Sequence, residues 1–254
     1  MGKSWKLGRV AGIDLFLHPT FLFLLFYVGA VRGGFGAILL TSAAFGCVLL
    51  HELGHALMAR RFGIGTISIT LYPIGGVANL ERIPRAPGAE LLVALAGPAV
   101  NFAIAGVLWL LLEVFADSDS TLAGFTTTLL VVNLGLAIFN LIPAFPMDGG
   151  RVMRALLSGW LGRLRATEIA ATLGRGLAIA FGVYSLYHGE FFQTILAIFI
   201  YVVAGRELAS VRNEESQHTS WPEPPRGFRW LSRGDGTYRL VPIAIPIHER
   251  RQWR

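Results

Sequence analysis

Charge is what this sequence has least of for its length. Asp, Glu, Lys and Arg make up 15% of its 254 residues, against roughly 25% in soluble domains. Hydrophobic residues make up 54%, and the mean hydropathy is +0.56. That balance excludes an ordinary soluble domain and points to an integral membrane protein. The single cysteine, Cys47, excludes an intramolecular disulfide. Lying in an apolar run, it reads as a small buried hydrophobe and not a reactive thiol, and it implies no redox compartment. A concentrated basic domain is also missing. The net charge is +6, but the basic residues fall between apolar runs, which argues for membrane topology and against nucleic-acid binding.

What is present is a series of long apolar runs. A spanning helix needs about 20 mostly apolar residues, and residues 13–31, 35–59, 91–112, 121–141, 170–188 and 191–208 meet or approach that, giving six expected spans. The first follows Lys3, Lys6 and Arg9 and exceeds a signal-peptide core, so it is expected as a retained helix. Arg175 interrupts the fifth, which pairs with the sixth through a turn near Gly189. Basic residues occupy alternate loops. Lys3, Lys6 and Arg9 precede span one; Arg60, Arg61, Arg82 and Arg85 follow span two; Arg151, Arg154, Arg163 and Arg165 follow span four; Arg206 and Arg212 follow span six. The other loops hold Arg32, then Glu113, Asp117 and Asp119, then Glu190. By the positive-inside rule both termini are expected in the cytoplasm.

At the cytoplasmic end of span two stands His51-Glu52-Leu53-Gly54-His55. Residues i and i+4 project from one face of a helix, so His51 and His55 can reach one metal ion while Glu52 stays free, a zinc-hydrolase arrangement. Such polar groups beside hydrocarbon are costly unless they have partners and a task. A structurally satisfied histidine pair is the other reading until a third ligand is found. Between spans two and three, residues 66–71 alternate polar and apolar, and residues 72–79 include Pro73, Gly75 and Gly76, which predicts a short β-hairpin. Such a hairpin fits either a membrane-surface element or an edge that pairs with an extended substrate.

The remaining unusual stretch is residues 140–151, from Asn140 through Pro143, Pro146 and Met147 to Asp148-Gly149-Gly150-Arg151. Its prolines break helix four, and the glycines permit a turn that aims Asp148 inward. Asp148 fits two roles, a cap for the helix expected to resume at Arg151 or the third metal ligand. Spans two and four run the same way, so Asp148 and the histidines share a depth, and this favours the ligand.

The ordered set of HELGH on an apolar helix, Gly75-Gly76, Ala96-Gly97-Pro98-Ala99-Val100-Asn101 and the later Asn140…Met147-Asp148-Gly149-Gly150 resembles the site-2 protease family of intramembrane zinc metalloproteases. The resemblance covers roughly residues 10–212. It implies one Zn2+ held by His51, His55 and Asp148, with Glu52 as general base. It also implies Asn140 near the substrate or reacting carbonyl, and a substrate strand laid against Gly75 and Gly76.

The expected fold is therefore an all-α polytopic membrane protein with about six transmembrane helices and a small membrane-associated β-hairpin between helices two and three. Residues 1–212 form the metalloprotease core, and residues 213–254 a cytoplasmic tail with an extended proline linker and a small hairpin at 228–232 and 237–241. The paired CBS and inserted PDZ domains of many relatives are not expected in this length. The expected activity is a zinc metalloendopeptidase of the cell membrane that cuts a membrane-tethered protein near the cytoplasmic face. A divalent-metal transporter or noncatalytic metal-binding protein is the alternative, but neither needs a free Glu52. His18 is expected to bond locally, and Asn101 and Asn133 to join helices.

Overall fold

The computed structural model describes residues 4–82, 84, 86–114, 121–219, 224–232 and 238–242. Lys3, Arg85, Asp117, Asp119, Trp221, Pro222, the turn at 233–236 and Trp253 lie outside the described residues.

The N-terminal segment departs from expectation. Instead of a span from residue 13, the chain forms β1 (Trp5–Val10) and β2 (Ile13–Leu17) before α1 (Thr20–Arg32). The physical cause is legible afterwards: Ile13 and Leu15 are buried and Asp14 between them is not, a period of two that fits a strand. Pro19 then opens the helix. Ala11 and Gly12, with φ of 51° and 86°, form the tight hairpin between these strands.

Among the described residues, five helices are long and apolar enough to cross a membrane, and the shorter apolar α1 accompanies them. They are α2 (Gly34–Arg61), α3 (Pro87–Val114), α4 (Thr121–Asn140), α6 (Arg163–Tyr187) and α7 (Phe191–Thr219, apolar through Ser216). Between α4 and α6 lies α5 (Asp148–Leu161), which begins at Asp148 itself. Gly189, at φ 72°, makes the expected turn between α6 and α7.

β3 (Thr66–Tyr72) and β4 (Gly75–Leu80) form the expected hairpin, but within a four-stranded sheet of order β1-β2-β3-β4. β2 and β3 pair in parallel, with Asp14 opposite Ser68 and Leu17 opposite Leu71; the other neighbours are antiparallel. One sheet face packs on α2, where Ile13, Leu15 and Ile69 meet Ala56, Leu49 and Leu53. The sheet thus braces one side of α2 while α3 packs on another, and the metal-ligand candidates lie on the α3 side.

Contacts divide the chain into two units, Met1–Val211 and Arg212–Arg254. The second carries an antiparallel pair, β5 (Phe228–Ser232) with β6 (Tyr238–Pro242).

Candidate metal centre

The two histidines reach into a gap that exists because α3 has no side chain there. A Cβ on Gly97 would fall against the His55 ring and 2.7 Å from His51 Cε1. At Gly54 a Cβ would lie 2.9 Å from the Ala96 carbonyl oxygen, so α2 and α3 approach at van der Waals distance around the site.

Asp148 arrives from the loop between α4 and α5, which contains a cis Phe145–Pro146 peptide. Glycines let this loop fold tightly. Gly149 faces the Leu141 and Ile142 carbonyls, Gly150 faces the Phe145 backbone, and Gly174 of α6 sits against the Phe145 carbonyl. Phe145 is 1% exposed, its amide donates to the Ala170 carbonyl at 3.1 Å, and the Arg154 guanidinium lies 4.8 Å from its ring centre. Arg154, fully buried, ion-pairs with Glu90 of α3 and, at 2.7 Å, with Glu207 of α7. Met147 is the N-cap of α5, and the Asp148 carboxylate turns to the histidines.

The result is a buried triangle. Asp148 Oδ2 lies 3.1 Å from both His51 Nε2 and His55 Nε2, and the two Nε2 atoms are 3.1 Å apart. The outer ring nitrogens decide its chemistry. His55 Nδ1 is 2.7 Å from the Val93 carbonyl, which only accepts, so this nitrogen carries the proton. His51 Nδ1 is 2.5 Å from Asn101 Oδ1. Asn133 fixes that amide: its Nδ2 donates to the Leu129 carbonyl at 2.9 Å, leaving its Oδ1 to accept from Asn101 Nδ2 at 2.9 Å. Asn101 therefore presents its carbonyl oxygen to His51, and His51 Nδ1 also carries the proton. In the neutral rings both inner nitrogens then hold lone pairs aimed at the carboxylate oxygen they share. Three inward lone pairs, with both rings set by outer partners, fit one cation such as Zn2+.

The candidate general base, Glu52, lies half-buried on the sheet side of the cluster. A Cβ on Gly76 would stand 2.6 Å from Glu52 Cγ, so Gly76 gives Glu52 its space at the start of β4. The structure thus brings together His51, His55 and Asp148, and sets Glu52 against Gly76. Asn140 is bonded within its own helix, its amide donating to the Leu136 carbonyl at 3.0 Å. His18 stays outside the triangle, bonded to Thr20 Oγ1 at 2.6 Å and stacked on Tyr72. Sequence reasoning placed Asn101 and Asn133 between helices but missed that their bond continues to His51. Because they lie on separate helices, their positions in the chain carry no signal of that relay.

The fold and these side chains define a polytopic membrane protein with a two-histidine, one-carboxylate candidate metal centre. The chain matches Peptidase family M50 over residues 40–118 and 115–181, and it belongs to that family. It is 39% identical to a protein of Methanocaldococcus jannaschii named zinc metalloprotease, over 84% of this chain and 63% of that protein. It is 31% identical to Rip3 of Mycobacterium tuberculosis, whose name also describes a zinc metalloprotease, over 98% of this chain and 72% of that one. The solved structure of the site-2 protease from M. jannaschii superposes with a TM-score of 0.64 at 38% identity, covering 81% of this chain and 95% of that chain. The present chain spans about three fifths of the length of the M. jannaschii metalloprotease, at 63%.

Proposed function

We propose that this protein is an intramembrane zinc metalloendopeptidase that hydrolyses a peptide bond in or near a transmembrane segment of a membrane-tethered protein. The observation that carries this reading is the buried triangle of two imidazole nitrogens and a carboxylate oxygen, with Glu52 next to His51 on the same helix and outside the triangle. His51, His55 and Asp148 would hold the zinc, which when bound supplies a Lewis acid and lowers the pKa of water toward neutrality.

The chain's own residues supply the rest. Asn101 and the Val93 carbonyl hold the two imidazoles in the tautomer that leaves Nε2 free. Glu52, half-buried and held against Gly76, would take a proton from the attacking water at a carboxylate oxygen and return it to the departing amine. Burial of the cluster excludes bulk water and strengthens each polar contact.

A helical peptide bond must unwind before attack, and an unwound segment in lipid needs hydrogen-bond partners. β3 offers no free edge for this, since it is paired on both sides, by β2 and by β4. β4 ends the four-strand order and begins at Gly75 and Gly76 beside Glu52, so it is the edge on which an extended substrate would be laid. Asn140 retains a proposed role toward the substrate segment. With α1 crossing beside the five longer helices, the loop charges orient both termini to the cytoplasm, residues 1–212 act as the protease core, and residues 213–254 as its tail.

The test is Glu52→Gln in the full chain in proteoliposomes with a tethered substrate. Zinc content and the thermal unfolding midpoint should match the parent, and cleavage should disappear. Full residual cleavage at normal zinc content would remove Glu52 from its role.

A further inference from the structure

α6 and α7 leave a groove of about 380 Å3 between them, lined by Ala178, Ile179, Gly182 and Leu186 on one side and by Ala197 and Tyr201 on the other. Its floor is narrow, since a Cβ on Gly182 would lie 3.2 Å from Ala197 Cβ. Ile179 and Leu186 are 57% and 69% exposed, so the apolar wall opens outward.

One end of this groove carries a charge. Arg175 precedes Ile179, Gly182 and Leu186 at helical spacing on α6, so it belongs to the same stripe. Its guanidinium lies 5.2 Å from the Tyr201 ring centre, and a Cβ on Gly205 would stand 3.1 Å from Arg175 Cζ. Glycine at 205 thus makes the room in which the guanidinium rests. Among the described residues no carboxylate ion-pairs with Arg175, and its Nε is buried without a hydrogen-bond partner. The contrast is with Arg154, which has two glutamates. A guanidinium in a membrane-spanning helix is costly without an anion, and such residues mark sites.

Depth and width select the anion. Arg175 is seven residues into the helix from Glu168, about 10 Å at 1.5 Å per residue, and an arginine side chain can reach back toward the interface from there. The anion that a bilayer itself would supply there is a lipid headgroup of the leaflet on the α5 side. The volume lies at the low end of ligand sites, about 300–1,000 Å3, and suits an extended chain, whereas a helix is about 10 Å wide.

We propose that the α6–α7 groove binds an anion-headed lipid, with its acyl chain along Ala178, Gly182 and Ala197 and its phosphate or carboxylate on Arg175. The test uses the full chain in nanodiscs of phosphatidylcholine containing a minor fraction of phosphatidylglycerol or oleate, with lipid retained after detergent extraction counted by native mass spectrometry. The parent should retain about one anionic lipid per chain in preference to phosphatidylcholine, and Arg175→Gln should lower that retention about tenfold, the loss of one charge-assisted contact. Val183→Trp, which fills the groove from its exposed lip, should lower retention of both anionic species. Retention of oleate alone assigns the head as a carboxylate, and retention of phosphatidylglycerol alone assigns a phosphate; either supports the site. Equal retention of phosphatidylcholine, or parent-like retention in folded Arg175→Gln, overturns it. Should Arg175→Gln fail to fold, unchanged retention in Val183→Trp is the overturning result.

Discussion

Asn101 makes the sharpest test of how the site is held. Its carbonyl oxygen accepts the His51 Nδ1 proton at 2.5 Å, and its amide is pinned by Asn133 at 2.9 Å. Asn101→Leu keeps a side chain of similar bulk on α3 but removes both functions. The His51 ring then loses the contact that fixes its tautomer and rotation, while Asn133 Oδ1 loses its donor; both residues are buried. Loss of an outer partner of a metal-binding histidine typically lowers affinity 10- to 100-fold, about 1.4–2.7 kcal/mol. Leaving two buried polar groups unpaired costs about 1–3 kcal/mol each in folding stability as well. Equilibrium zinc competition against a chromophoric chelator, on protein whose helical content matches the parent, measures the first effect separately from the second. Asn101→Asp, which keeps an acceptor for His51, should retain more affinity than Asn101→Leu. Asn133→Leu should weaken zinc by a smaller step, and the double variant should be non-additive because the two amides form one relay. A folded Asn101→Leu protein that binds zinc within about threefold of the parent would refute the relay, since the typical loss is larger.

Gly97→Ala places a methyl against both imidazoles and should lower zinc affinity at least as much as Asn101→Leu, measured in the same competition assay. Arg154→Met leaves Glu90, 4% exposed, without its main cation and should destabilise the fold by about 3–5 kcal/mol in chemical unfolding; adding Glu90→Gln should recover part of the loss. In the N-terminal sheet, the Lys6 ammonium 2.8 Å from Asp14 holds that carboxyl below its ordinary range. The folded value lies below the unfolded one, so the pair stabilises above the unfolded carboxyl's range and is lost as pH falls through the folded value. Lys6→Gln should therefore lower the unfolding midpoint at neutral pH and converge with the parent in acid.

The chemistry was written locally and could be read locally. HELGH sets two histidines and a glutamate at helical spacing, and long uncharged runs declare lipid-facing helices whatever they pack against. Gly75 and Gly76 with their alternating flank declared a hairpin for the same reason, because period two is a property of the chain alone. The N-terminal strands were less visible: residues 13–17 are almost wholly apolar, and their pairing with β3, about fifty residues on, decided strand over helix. Long-range partners likewise decided the rest. Nothing near Asn101 tells which amide atom faces His51; Asn133, on another helix, settles it. Arg154 reads as one more cytoplasmic arginine until α3 and α7 bring glutamates to it, and Arg175 reads as a flaw in a span until Gly205 opens a place for it. The sequence by itself determined which groups could do chemistry and that they lie in a membrane. Tertiary structure alone decided their tautomers, their depth of burial and their partners, because hydrogen bonds and close packing between distant helices are set by where the helices meet.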